Sequence, residues 1–256
     1  MKRLYITFSG SAYNETTAKI VANAPRFGAD QVLVYDDLWL TGTDFYRHNI
    51  WLWEHSKRVG MNRGFGWFAW KSFIILDALD RLNEGDIVLY TDADTYPIAD
   101  FSVLYDECAR IGGAMLCNAY GCSNRAYCKR DCYIVMGQDD DSYIDRTAGV
   151  ARFMLFQKGP WKPRQFLYEW LTYCVNPSAT TFDLSKLRMD WPGFIEHRTE
   201  QAIMTLLAYK YGYKLYREAC QFGAKHTEDK ELYGQLFEQV GAVGPRTLEG
   251  SRYRNV

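Results

Sequence analysis

From Asp86 to Pro97 the chain reads "DIVLYTDADTYP". Residues 87–91 form an unbroken, mostly apolar run that the Asn83–Glu84–Gly85 turn feeds, which predicts a strand buried in the middle of a sheet. Two carboxylates one residue apart, Asp92 and Asp94, close that strand. A chain that buries a strand this fully and ends it in paired acids must cover both faces of the sheet and find a use for the charge.

The rest of the chain supplies the cover. Strand composition marks "RLYITFS", "QVLVYDD", "GAMLCNA", "GVARFMLFQ" and "YKLYR". Helical spacing marks "SAYNETTAKIVANA", with caps expected at Ser11 and Asn14, then "WKSFIILDALDRL", a stretch near 100–110, 162–174, and "HRTEQAIMTLLAYKYG", which stops at Gly212. A polar loop is expected between "GAMLCNA" and "GVARFMLFQ", and a C-terminal helix with a tail after Lys230. This alternation predicts an α/β fold with a Rossmann-type mixed, mostly parallel sheet flanked by helices. Ligands of such sheets bind at the carboxyl ends of the strands, where Asp92 and Asp94 lie.

Length fits one domain of 256 residues, and an apolar share of 48% is ample for its core. The formal net charge of −1 argues against a nucleic-acid partner. With 8 Trp and 19 Tyr the chain is rich in flat faces suited to sugars and bases as well as to cores. No run reaches a transmembrane length, and "MKRLYITFSG" reads as a first strand rather than a signal peptide. A cytoplasmic protein with free thiols is expected, if need be peripheral at the inner face of a membrane. Cys117, Cys122, Cys128 and Cys132 lack the tight pair spacing of zinc knuckles, so core or loop thiols are expected there.

Three readings of the aspartate pair compete. A strand-end Asp can cap a helix or make a turn, and Pro97 and Asp100 suit that role. The pattern "DADTY" resembles the first motif of haloacid-dehalogenase-type phosphohydrolases, with Asp92 as nucleophile and "GQDDD" as the later acidic motif. Only 47 residues separate Asp92 from Asp139, which is short for the units between those motifs. The third reading is a hard divalent ion, Mn2+ or Mg2+, held by the carboxylates against a sugar-linked diphosphate.

Several ordered segments favour the third reading. "RGFGWFAWKS", "GDIVLYTDAD", "CKRDCYIVMG", "TAGVARFMLFQKGP", "FLYEWLTYC" and "EHRTEQAIMTLLAYKYG" resemble, in that order, segments of GT-A-fold glycosyltransferases that build bacterial surface polysaccharides. The last one also resembles retaining galactosyltransferases and glycogenin-like enzymes. Ser72 stands where those enzymes have proline, and Glu200 where they have aspartate. The likeness spans roughly residues 60–215.

The resemblance implies a single GT-A-like domain, with residues 1–118 as nucleotide- and metal-binding half and 119–256 as acceptor half and tail. It implies metal-dependent, retaining transfer of a hexose from a nucleotide-diphosphate sugar, expected to be a UDP-sugar, to a glycan or lipid-linked glycan hydroxyl. Asp92, Asp94 and the late His226 are the metal candidates, with His197 as rival. Glu200 and Gln201 are placed beside the donor sugar, and Asp131 and Asp190 are the acids to consider as base. Arg63, Lys71, Lys129 and Arg130 are cations for the diphosphate. Ser9, Tyr13, Asp36 and Asp37 are candidates for base or ribose, and Trp67, Trp70 and Trp191 for stacking on sugar.

Overall fold

The computed structural model describes residues 1–60, 65–223 and 233–240. Six strands form the main sheet: β1 (Arg3–Phe8), β2 (Gln31–Tyr35), β3 (Ile87–Thr91), β5 (Ala114–Ser123), β6 (Thr147–Gln157) and β7 (Leu215–Tyr216). Their order is β2-β1-β3-β6-β5-β7. β6 pairs antiparallel with both its neighbours and the other pairings are parallel, so β6 alone runs against the rest. The predicted mostly parallel mixed sheet is present. A second, two-stranded antiparallel sheet joins β4 (Thr95–Pro97) to β8 (Phe237–Gln239).

All five residues of β3 are buried, because the pleat sends them alternately into two cores. Val88 and Tyr90 join Leu4, Ile6, Met154 and Phe156 on one face. Ile87 and Leu89 join Tyr5, Phe153 and Leu155 on the other. Helices Trp70–Asp80, Trp161–Cys174 and Thr199–Lys210 cover the first face, and Asn14–Asn23 and Ser102–Arg110 the second. Each aliphatic side chain buried this way contributes about 1.5–3 kcal/mol, so β3 cannot slip without a large loss. Asp92 is thereby fixed at the edge of both cores.

Several elements differ from the sequence reading. The helix start differs from the expected one: Ser11–Tyr13 is a 3-10 turn, Asn14 is already the first residue of helix Asn14–Asn23, and Tyr13, which precedes it, makes no side-chain cap. After β2 come three short helices, Asp37–Thr41, Asp44–His48 and Trp51–Arg58, too brief and too mixed in polarity for periodicity to reveal. The expected polar loop holds helices Asn124–Tyr127, Arg130–Val135 and Asp141–Ile144. Where a C-terminal helix was expected, the described part forms strand β8. Residue 118, the expected boundary between halves, falls inside β5.

Cys117 lies in one core layer and Cys128 and Cys132 in the other, so the cysteine group does not converge. No helix among the described residues is long and apolar enough to cross a membrane.

The helix Thr199–Lys210 sits very close to β6 at Gly149. A Cβ there would lie 2.8 Å from the Met204 methyl and 3.0 Å from Thr205 Oγ1. Thr205 Oγ1 accepts the Gly149 N–H at 2.8 Å. Gly149→Ala is expected to cost about 1–3 kcal/mol through overpacking, read as a lower urea midpoint at unchanged slope.

Candidate active site

Lys71 stands in the first turn of the Trp70–Asp80 helix and is 4% exposed. Its ammonium meets Asp92 Oδ1 at 3.0 Å and Glu200 Oε1 at 3.2 Å, and it donates to the Ala151 carbonyl on β6 at 3.1 Å. It also lies over the rings of Phe68 and Tyr90. One cation therefore ties together a helix, the end of β3, β6 and the start of the Thr199–Lys210 helix. Burial opposes the Lys71 charge, but Asp92 and Glu200 outweigh it and hold its pKa above the usual value. Burial raises the Glu200 carboxyl, with Lys71 and the Thr199 hydroxyl pulling against it. Asp92 Oδ1 and Glu200 Oε1, sharing one nitrogen, are no more than 6.2 Å apart, the two contacts laid end to end.

Tyr90 donates its hydroxyl to Asp92 Oδ1 at 2.6 Å. Both side-chain contacts of Asp92 thus fall on one oxygen, and among the described residues no hydrogen bond or ion pair engages Oδ2. The Asp92 backbone is fixed between β6 and the following turn: its N–H donates to Arg152 and its carbonyl accepts from Thr95. Asp94 accepts from Thr95 Oγ1 at 2.9 Å and from Gln239 Nε2 at 3.1 Å. Burial first, and then the charge of Asp92, lift the Asp94 carboxyl above its ordinary range. Beside it, Arg152 forms a bidentate pair with buried Glu218, whose carboxyl burial also raises. Four carboxylates (Asp92, Asp94, Glu200 and Glu218) thus face two cations, Lys71 and Arg152. Among the described residues no three His, Cys, Asp or Glu side chains gather as a set of metal ligands; the open Asp92 oxygen is of the hard kind that a divalent cation takes. His226 and Arg63 lie outside the described residues.

Local backbone strain accompanies these side chains. Gly66, Trp67 and Phe68 all have positive φ (61°, 56° and 55°), and so has Thr199 (38°), just before Glu200. Such conformations cost a non-glycine residue about 1–2 kcal/mol each, and they persist where surrounding packing dictates them. Trp67 is fully buried against His55 and Phe182. Trp70 is buried, stacked on Phe8. Neither presents a free face, which corrects the expectation that they stack on sugar.

The remaining candidates are placed as follows. Asp36 caps the Asp37–Thr41 helix through the Trp39 N–H at 2.7 Å. Asp37 comes close to Gly10 at the end of β1, and burial with the Asp36 charge raises its carboxyl. Ser9 Oγ meets the Thr17 hydroxyl at 2.6 Å. Tyr13 lies in the 3-10 turn just after β1. Gln201 follows Glu200 in the helix, and its Nε2 is buried without a hydrogen-bond partner.

Lys129, Arg130 and Asp131 form a separate group. Lys129 donates its ammonium to the carbonyls of Thr181 and Asp183, and burial lowers its pKa. Asp131 takes the N–H groups of Lys186 and Leu187 on its two oxygens. Arg130 pairs with Asp139, stacks on Trp191 at 3.7 Å and donates its N–H to Asp190. His197 accepts from the Lys129 N–H through Nδ1, which leaves Nε2 to donate to the Ala179 carbonyl. Burial and then the Lys129 charge lower its pKa to about 3, so it is neutral. Arg152, Glu218, Tyr90 and Gln239 were not singled out in the sequence. Tyr90 is two residues before Asp92, a spacing that strand alternation could have flagged, whereas Arg152, Glu218 and Gln239 reach the site only through the pairing of distant segments.

No family model matches this sequence, and no curated protein matches it. Among solved structures, the apo WbbM bifunctional glycosyltransferase is similar, with a TM-score of 0.50 at 11% identity over 86% of this chain and 39% of that one. The GlyE glycosyltransferase of Streptococcus pneumoniae TIGR4 follows at 0.48, with 14% identity over 97% of this chain and 57% of that one. Apo mouse xyloside xylosyltransferase 1 stands at 0.44, with 8% identity over 95% and 98%. This chain thus spans well under two thirds of WbbM and of GlyE. The haloacid-dehalogenase alternative finds no support: Asp139, in its later acidic motif, is held by Arg130 and Arg188. The fold is a mixed α/β sheet of the GT-A-like glycosyltransferase type.

Removing the Lys71 ammonium would strand two acids. Lys71→Ala is expected to cost about 3–5 kcal/mol at neutral pH. Without the opposing charge the Glu200 carboxyl rises further above its unfolded value. A raised acid favours the folded state below the unfolded pKa and loses that advantage as pH climbs. The deficit should therefore shrink as pH falls from neutral toward the ordinary glutamate range, measured by urea unfolding at several pH values.

Proposed function

We propose that this chain is a metal-dependent hexosyltransferase. It moves a sugar from a nucleotide-diphosphate donor, a UDP-sugar by expectation, to a hydroxyl of a glycan or lipid-linked glycan, with retention of configuration. The observation that carries this is the Asp92–Asp94 turn, an acid pair ending a doubly buried strand in a GT-A-like sheet, with an open carboxylate oxygen beside Lys71 and Glu200. Surface-polysaccharide synthesis in the cytoplasm, at the inner membrane face where the acceptor is lipid-linked, is the setting that fits such a reaction.

In this reading Asp92 and Asp94 hold Mn2+ or Mg2+, with His226 as third ligand. The bound ion neutralises the charge that grows on the leaving diphosphate. Lys71 is a positioning residue: it holds Asp92 and Glu200 in place and opposes the rise that burial gives the Glu200 carboxyl, and its burial keeps it from the diphosphate itself. Glu200 supplies the negative field for the positive charge that develops at the anomeric carbon. Gln201 offers its unpartnered Nε2 to a donor hydroxyl. Ser9, Tyr13 and Asp37, near the ends of β1 and β2, receive the nucleoside, while Asp36 shapes the turn beneath it. Lys129, Arg130 and Asp131 act by anchoring residues 181–191 rather than by touching the donor.

Retention is favoured by the state of the acids an inverting enzyme would need as base. Asp131 spends both oxygens on backbone N–H groups, and Asp190 accepts from Arg130 and Ser185.

A panel of nucleotide sugars with Mn2+ tests the reading: one donor, expected to be a UDP-sugar, should be turned over or stabilise the protein against heat. Asp92→Asn and Asp94→Asn should each lower that activity by about 100-fold or more while the fold survives. Turnover of a simple phosphate ester instead would sink the proposal. Because the Asp94 carboxyl is raised, protons compete with the cation. Mn2+ affinity should grow as pH rises through that carboxyl's titration, and Asp94→Asn should flatten the dependence, read by isothermal titration.

A further inference from the structure

The Thr199–Lys210 helix ends at a cleft away from Glu200. Its cavity is about 470 Å³, within the usual range for small-molecule sites, and Asn118, Arg146, Thr147, Tyr209, Tyr213 and Lys214 are among its walls. Tyr209 stands nine residues beyond Glu200, about 14 Å along the helix axis. The cleft is therefore not the donor site but lies within an oligosaccharide's reach of it.

Its chemistry is one-signed. No carboxylate lines it. Arg146 lies over the Tyr209 ring at 4.8 Å and gives its Nε to the Ser142 carbonyl, and among the described residues no acid pairs with its guanidinium. Neighbouring acids are already neutralised: Asp145 by Arg125, and Glu169 by Lys210. Of the wall residues, Lys214 lies over Tyr216 at 4.8 Å, and Lys162, outside the walls, lies over the Tyr213 ring at 4.7 Å.

Its polar atoms are incomplete. Asn118 is 8% exposed and donates Nδ2 to the Leu215 carbonyl at 3.4 Å, but its Oδ1 has no partner. The buried Tyr213 hydroxyl has none either. Both atoms are closed off from the open hollow. A guanidinium for an anion, set beside tyrosine rings, is what an acidic sugar needs.

We infer that this cleft is a subsite for a carboxylate- or phosphate-bearing sugar of the acceptor glycan, a few units from the hydroxyl that is glycosylated. As an acceptor subsite it rests on the glycosyl-transfer reading; as a saccharide site it stands by itself. Arg146 makes the charge-assisted contact.

Isothermal titration of the whole chain with a uronate-terminated trisaccharide, a hexose phosphate, their neutral counterparts and inorganic phosphate tests the assignment. At least one acidic saccharide should bind about tenfold or more tighter than its neutral counterpart, and Arg146→Gln should erase that preference. Exposed Arg146 can be replaced without endangering the fold. Equal binding of acidic and neutral sugars, or a preference that Arg146→Gln leaves intact, overturns the inference. Inorganic phosphate binding as tightly as the saccharides overturns it too, since the cleft would then be a bare anion site. UDP with Mn2+ separates the two proposals. If UDP binds equally in the parent and in Arg146→Gln, the donor reading stands apart from this one. If UDP never binds while Arg146→Gln still abolishes acidic-sugar binding, the transfer reading has failed and the saccharide site remains.

Discussion

The Lys71 ammonium is the joint on which the site depends. It is buried, and its two carboxylates come from the end of β3 and from the first turn of a distant helix. Buried ion pairs of this kind contribute little net stability against an apolar replacement. Their effect is on geometry, because each acid can be satisfied in one arrangement only. Tyr90 and Thr199 narrow the choice further by donating to the same two acids.

Around that joint the protein uses charge in two different ways. Asp92 keeps one oxygen open beside its contact with Lys71, and burial, then the Asp92 charge, makes Asp94 titrate high. The Lys129–Asp131 segment is the opposite case, with its charges consumed by the carbonyls and N–H groups of residues 181–187. In a sequence both look like functional charge. In the fold one is left reactive and the other fastens an irregular segment that leads into Glu200.

Much of the architecture was legible because it rests on local rules. The buried run at β3, the helical spacing of residues 70–80 and 199–210, and the break at Gly212, with its φ of 66°, all act over a few residues. The short helices between 37 and 58 were not legible, since runs of five to eight residues with mixed polarity cannot establish a period. Strand β8 escaped for another reason: it owes its form to Thr95–Pro97, more than a hundred residues earlier in the chain.

The sequence by itself determined that a doubly buried strand ends in two acids, and this alone dictated a covered sheet with negative charge at its rim. Only the tertiary structure decided which cations would meet that charge. Lys71 and Arg152 lie at no telling distance from Asp92 along the chain, and strand register and helix docking brought them there. Hydrophobic patterning is read over neighbouring residues, whereas electrostatic pairing follows distance in space. The first is written along the chain and the second exists only after folding.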